Sequence, residues 1–139
     1  MYWEDFLHIS AAEVENTVSS KRVEQFKEAL GFQGIPADHV PPTFVRTFSF
    51  GDIQGLTWPD AGMIHAEQEY DYYRPLVPEE TLLCSQRIDK VVRKTGRSGE
   101  MAFIYLTQTG KDSAEQTVFI SRRVLVWKRA GQRPEGVPE

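Results

Sequence analysis

Cysteine is nearly missing: Cys84 is the only one in 139 residues, so no intrachain disulfide can staple the fold. A single thiol fits a reducing compartment, and the expected location is cytoplasmic. A basic excess is missing as well. Sixteen Lys and Arg stand against 20 Asp and Glu, a formal charge of −4, the wrong sign for a partner built on a phosphate backbone. Nucleic acid is therefore not an expected ligand. No apolar run reaches the roughly 18–20 residues that a membrane-spanning helix needs, so no membrane partner is expected. The opening MYWEDFLHIS carries Glu4 and Asp5 where a signal peptide would carry basic residues. Repeats and low-complexity blocks are absent too. What is present is a 40% hydrophobic content, enough for one core, in a length that suits one domain. That domain is expected over residues 1–128, with the polar, Gly- and Pro-containing stretch 129–139 as a disordered tail.

Periodicity divides the chain into two short helical regions and a run of strands. Met1 to His8 is apolar enough to cap a core, and Glu13 to Val18 is a short strand candidate. Ser19 to Leu30 spaces Val23, Phe26, Ala29 and Leu30 as a helical stripe, leaving Lys21, Glu24, Lys27 and Glu28 on the other face. Ser19 or Ser20 is the expected N-cap and Gly31 the residue after the C-cap. Gly31 to Pro42 is loop. A buried helix is expected to start near Thr43, since proline costs nothing in a first turn. Strands are expected over His65 to Tyr73, Thr81 to Arg93, Met101 to Thr109 and Gln116 to Lys128, with a glycine hairpin from Lys94 to Gly99. Strict alternation would put His65, Glu67 and Glu69 on one strand face. It would also put Leu82, Cys84, Ile88 and Val92 on another. Ser121-Arg122-Arg123 interrupts an apolar strand and reads as a bulge or an exposed edge.

The segment Pro41-Pro42-Thr43-Phe44 and the run IHAEQEYDYYRPLVPEETL from Ile64 to Leu82 are more particular. So is the hairpin with Lys94, Gly96, Arg97 and Gly99 leading into Met101-Ala102-Phe103. Together with the helix ending at Gly31, these features resemble the N-terminal, FAS1-like dehydratase domain of the MaoC family over about residues 13–127. The resemblance implies an α+β hot-dog fold, a long curved antiparallel sheet wrapped around a central helix. It implies a second hot-dog chain, as homodimer or heterodimer. It also implies an acyl thioester on CoA or acyl carrier protein as substrate, with no further cofactor.

Active members of that family carry an Asp soon after the first helix and a His five positions later. The chemistry needs one group to move the proton at C2 and a pair to orient water at C3. Here Phe32 and Ala37 stand at those positions, and Ile35 replaces the motif's asparagine. Asp38 and His39 are the nearest substitutes, but neighbouring side chains in an extended segment point apart. By the resemblance, Thr43 and Phe44 start the helix whose backbone N–H polarises the thioester carbonyl, a task a helix start suits. Arg74 and Arg97, with Arg93 and Lys94, are candidates for CoA or carrier-protein phosphates. His65 with Glu67 and Glu69 is a conceivable metal or proton-relay cluster, although a plain polar face gives the same pattern. His8 and Cys84 read as structural, the latter on an apolar strand face.

Three functions follow. The first is a noncatalytic acyl-chain-binding subunit of an enoyl-thioester hydratase or 3-hydroxyacyl-thioester dehydratase. The second is a self-sufficient homo-oligomeric hydratase with displaced catalytic groups. The third is an acyl-CoA-binding module without catalysis.

Overall fold

Five strands make one antiparallel sheet in the order β1-β3-β4-β5-β2, seen in a computed structural model that describes residues 2–31, 36, 38–59, 61–97 and 99–128. The strands are β1 (Val14–Thr17), β2 (Met63–Tyr72), β3 (Thr81–Gly96), β4 (Gly99–Lys111) and β5 (Thr117–Lys128). One α-helix, α1 (Ser20–Ala29), and 3-10 turns at Trp3–Phe6 and Pro42–Thr47 complete the elements. The expected tail 129–139 and the positions Phe32, Ile35 and Ala37 lie outside the described residues.

β3 is 16 residues long, which at about 3.3 Å per residue is far longer than a flat strand can run without twisting. The sheet curls, and its concave face holds two apolar clusters. The first gathers Phe44, Val45, Phe50, Leu82, Cys84 and Phe119 around the Pro42–Thr47 turn. The second gathers Trp3, Ile53, Ile88, Ile104, Leu125 and Trp127. Trp3 is fully buried between Trp58 and Trp127, with ring centroids at 5.5 and 5.8 Å. The opening residues therefore do cap a core.

The expected central helix is a short 3-10 segment of six residues, about two turns. It ends where Phe48 turns extended, at φ −78° and ψ 155°, and Gly51 and Gly55, both at positive φ, keep the following chain in loop. What the sheet wraps is thus Phe44 and Val45 on that turn, each 1% exposed, rather than a long helix. Tyr72 donates its hydroxyl to the Pro42 carbonyl and Thr47 Oγ1 donates to the Phe44 carbonyl at 2.8 Å, which fixes the turn at both ends.

α1 begins as expected, with Ser19 Oγ accepting from the Arg22 N–H at 3.3 Å, and Gly31 follows it at φ +75°. Its buried face differs from the expected one. Val23 and Lys27 are buried, four residues apart on the same side, while Ala29 and Leu30 are exposed. Lys27 lays its methylenes against the core and sends Nζ to the Pro36 carbonyl at 3.0 Å and Glu24 at 3.4 Å.

Register shifts interrupt the pairing at three places, one of them between Gly110 and Lys111 where β4 meets β5, and the other two reset the phase of inward positions. In β3 the register shifts between Ile88 and Lys90, so Val91, not Val92, packs on the second cluster. In β2 it shifts between His65 and Glu67. The Ser121–Arg123 stretch is neither bulge nor edge. β5 lies between β4 and β2 and pairs continuously through those three residues.

Cys84 is fully buried, and burial pushes its thiol up to about 11. Native protein at pH 8 is expected to leave a thiol reagent unreacted, and denaturant is expected to release one reactive group. Labelling of the native chain at the free-thiol rate would show that the first cluster is open to solvent.

Candidate functional site

The inward positions of the central strands are apolar at both ends of the sheet and polar in the middle. On β3, Gln86 falls between Cys84 and Ile88; on β4, Gln108 falls between Leu106 and Gly110. On β5, Ser121 and Arg123 fall between Phe119 and Leu125. Register aligns them: Gln86 pairs with Gln108, Gln108 with Ser121, and Ser121 with Tyr70 of β2. Gln108 is 5% and Ser121 1% exposed, so their polar atoms need partners within the protein. Gln108 Nε2 donates to Gln86 Oε1 at 3.1 Å, Gln86 Nε2 donates to the Gly51 carbonyl at 2.7 Å, and Gln68 Nε2 donates to Ser121 Oγ. This polar belt separates the two apolar clusters.

A cavity of about 620 Å³ opens onto the belt, a volume typical of small-molecule sites. Its apolar walls include Phe48, Phe50, Trp58, Met63, Leu106 and Leu125. Its ionisable side chains are Arg46, Asp52, His65, Tyr70 and Arg123. The β2 bulge is why His65 is among them. It turns His65 to the cavity side with Gln68 and Tyr70, and leaves Glu67 and Glu69 exposed. The one-face cluster of His65, Glu67 and Glu69 therefore does not form, and no metal-binding group of His, Cys, Asp and Glu occurs among the described residues.

The electrostatics of the cavity are cationic on one side. Arg123 Nε and the Tyr70 hydroxyl are buried without a hydrogen-bond partner. Burial, and then the charge of Arg46, lower the pKa of Arg123. Burial raises that of Tyr70, against the pull of both arginines. Tyr70 is thus a neutral donor at physiological pH.

The residues marked from sequence lie elsewhere. Asp38 and His39 are exposed on the loop before Pro41, and neither lines the cavity. Thr43 is exposed, and the Phe44 N–H is donated to the Pro41 carbonyl at 2.9 Å within the turn. Arg74 makes a two-pronged contact with Glu80, at 2.7 and 3.0 Å, and reaches Asp112 at 3.5 Å. It clamps the β2–β3 connection. Arg93 bridges Glu4 and Glu100, tying the N-terminal turn to the β3–β4 hairpin. Arg97 is exposed at the tip of that hairpin. Sequence reasoning missed the belt. The signal was a glutamine at an inward position on each of two paired strands.

A curled antiparallel sheet closed over a short buried helical turn, with the cavity on its concave side, is the hot-dog fold. Residues 8–121 match the family described as FAS1-like, dehydratase domain region, and the chain belongs to that family. No curated protein sequence matches it. Among solved structures it resembles a chain of the ChsH1-ChsH2 complex from Mycobacterium tuberculosis, with a TM-score of 0.68 and 19% identity over 88% of this chain and 90% of that one. A chain of the HadBC 3R-hydroxyacyl-ACP dehydratase complex from the same organism superimposes with a TM-score of 0.63 and 15% identity, covering 88% and 97%. The MaoC-like dehydratase from Rhodospirillum rubrum gives 0.58 and 17%, covering 91% and 96%. These identities establish a shared fold. No helix among the described residues is long and apolar enough to cross a membrane.

Proposed function

We propose that this chain is the acyl-binding, noncatalytic half of a two-chain enoyl-thioester hydratase or 3-hydroxyacyl-thioester dehydratase. One observation carries the reading. The concave face holds a cavity with apolar walls and a polar belt, while Asp38 and His39, the residues nearest the family's Asp/His positions, lie outside it. The cavity suits an acyl chain, and the chemistry then belongs to a partner. Two-chain complexes among the similar structures support a second hot-dog chain, and a cytoplasmic setting fits such a pair.

Co-expression with a hot-dog chain that carries the intact Asp/His motif tests this. The pair should copurify and hydrate crotonyl-CoA or a longer enoyl-CoA, and the chain alone should not. Loss of the partner's Asp or His should cost about 10²–10⁴-fold in rate. Full activity of the chain alone would overturn the reading.

That outcome would favour a self-sufficient enzyme, for which the cavity offers Asp52 and His65. Both are exposed on its lining, on the loop after the 3-10 turn and on β2. Asp52→Asn and His65→Ala would then abolish hydration, while Asp38→Asn and His39→Ala would leave it unchanged.

A further inference from the structure

Two guanidinium groups face the cavity, and neither has a carboxylate to answer it among the described residues. Arg46 leaves the end of the Pro42–Thr47 turn, and Arg123 rises from the middle of β5. Neither makes an ion pair or a side-chain hydrogen bond among the described residues. Of the other described arginines, Arg22 and Arg97 are exposed and have no ion pair either, but neither lines the cavity. Arg74, Arg87, Arg93 and Arg122 each hold an acidic partner within 4.0 Å. Among the described residues Asp52 is the only acidic side chain on the cavity lining, and it pairs with neither arginine.

Arg123 Nε is fully buried and unpaired, and the neighbouring Tyr70 hydroxyl is buried and unpaired too. Both are donors. A buried donor without an acceptor is costly, and more so on a half-buried cation, unless something else supplies the acceptor. The like charge of Arg46 raises that cost further. A carboxylate would relieve all three at once: its two oxygens match one guanidinium fork and leave lone pairs for the tyrosine. The walls around this cationic patch decide which anion enters. Phe48, Phe50, Met63, Leu106 and Leu125 suit methylenes. They do not suit a nucleotide headgroup with several phosphates.

We infer that the cavity receives an acyl thioester whose acyl group ends in a carboxylate, held by Arg123 with Arg46 and Tyr70. This rests on the acyl-thioester reading above and names the substrate class within it. The apolar walls hold the methylene chain, and the thioester end points out toward the partner.

The test uses the full chain, labelled with nitrogen-15, so that the Arg123 Nε–H cross-peak reports the site directly. Its assignment comes from its loss in Arg123→Lys. Four probes are titrated: adipoyl-CoA, hexanoyl-CoA, free CoA and free hexanoate. Adipoyl-CoA should bind about tenfold or more tighter than hexanoyl-CoA and shift the cross-peak, as should hexanoate at higher concentration. Arg123→Met should erase the preference and leave hexanoyl-CoA binding intact, and Arg123→Lys should keep part of it. Equal binding of the two thioesters, with the Arg123 signal unmoved, would overturn the carboxylate site and leave the acyl-thioester reading standing. Hexanoate moving the signal with no thioester bound would do the reverse. Free CoA moving it as far as adipoyl-CoA would assign the arginines to phosphate and overturn the inference.

Discussion

Phe44→Ala is expected to lower the unfolding free energy by about 3–5 kcal/mol, the usual cost of emptying a fully buried phenylalanine site. Phe44 is 1% exposed and is the contact through which the short turn meets the sheet. Its ring packs edge-on against Phe26 of α1, at 5.4 Å between centroids, and against Phe48 at 5.8 Å. In a fold whose wrapped element is a long helix, the contact with the sheet is shared over several turns. Here it is concentrated on Phe44 and Val45. The hole left by alanine has little chance to collapse, because the turn is pinned by Tyr72 and its flanking prolines. Urea unfolding of the variant gives the value directly. Phe44→Leu should lose less than half as much. A loss below about 1 kcal/mol for the alanine variant, the scale of an ordinary substitution, would show that the turn does not plug the sheet.

The contrast with a long central helix bears on how far the sequence could be read. The cap of α1 was legible because Ser19 and Gly31 act locally, through one hydroxyl and one positive φ. β2 and β3 were legible because they alternate over most of their length, and β4 and β5 because they are rich in β-branched and aromatic residues between turn signals. Lys27 was misplaced because a stripe drawn only through apolar residues overlooks a long side chain that buries its stem. The β2 bulge was invisible because nothing local distinguishes His65 from Glu67; pairing with Val124 and Leu125 of β5 decides it. The site suffered most. Arg123 was read as a flaw in an apolar strand. It becomes meaningful only when register sets it beside Gln68 and two residues from Ser121, which lies in line with Gln108 and Gln86. A polar residue at an inward position is ambiguous on one strand. It becomes a pattern when the facing strands carry polar residues at the same level. That comparison needs the strand order, which periodicity does not supply.

The second large effect is expected at Gly110, where alanine should destabilise by about 2–3 kcal/mol, at the upper end for overpacking by one methyl group. Gly110 pairs directly with Phe119 on β5, and the phenyl ring lies across the glycine. A methyl added at Gly110 would sit 2.2 Å from Phe119 Cε1 and 2.7 Å from Cζ, so the ring must move. It has nowhere to go. Phe119 is fully buried, with Phe50 at 6.2 Å on one side and Tyr72 at 5.8 Å on another. The glycine is selected here by an approaching side chain and not by its backbone angle, so the cost should vanish when the ring does. Phe119→Leu alone should destabilise through lost packing. The double variant Gly110→Ala, Phe119→Leu should lose clearly less than the sum of the two, with a coupling of about 1–2 kcal/mol. Additive losses would place the cost of Gly110→Ala in the backbone instead. Phe50 also forms a cavity wall, so ligand binding by the Gly110→Ala variant reports the same displacement. A ring pushed toward Phe50 should narrow the cavity and weaken binding of an acyl thioester, and Phe119→Leu should restore it.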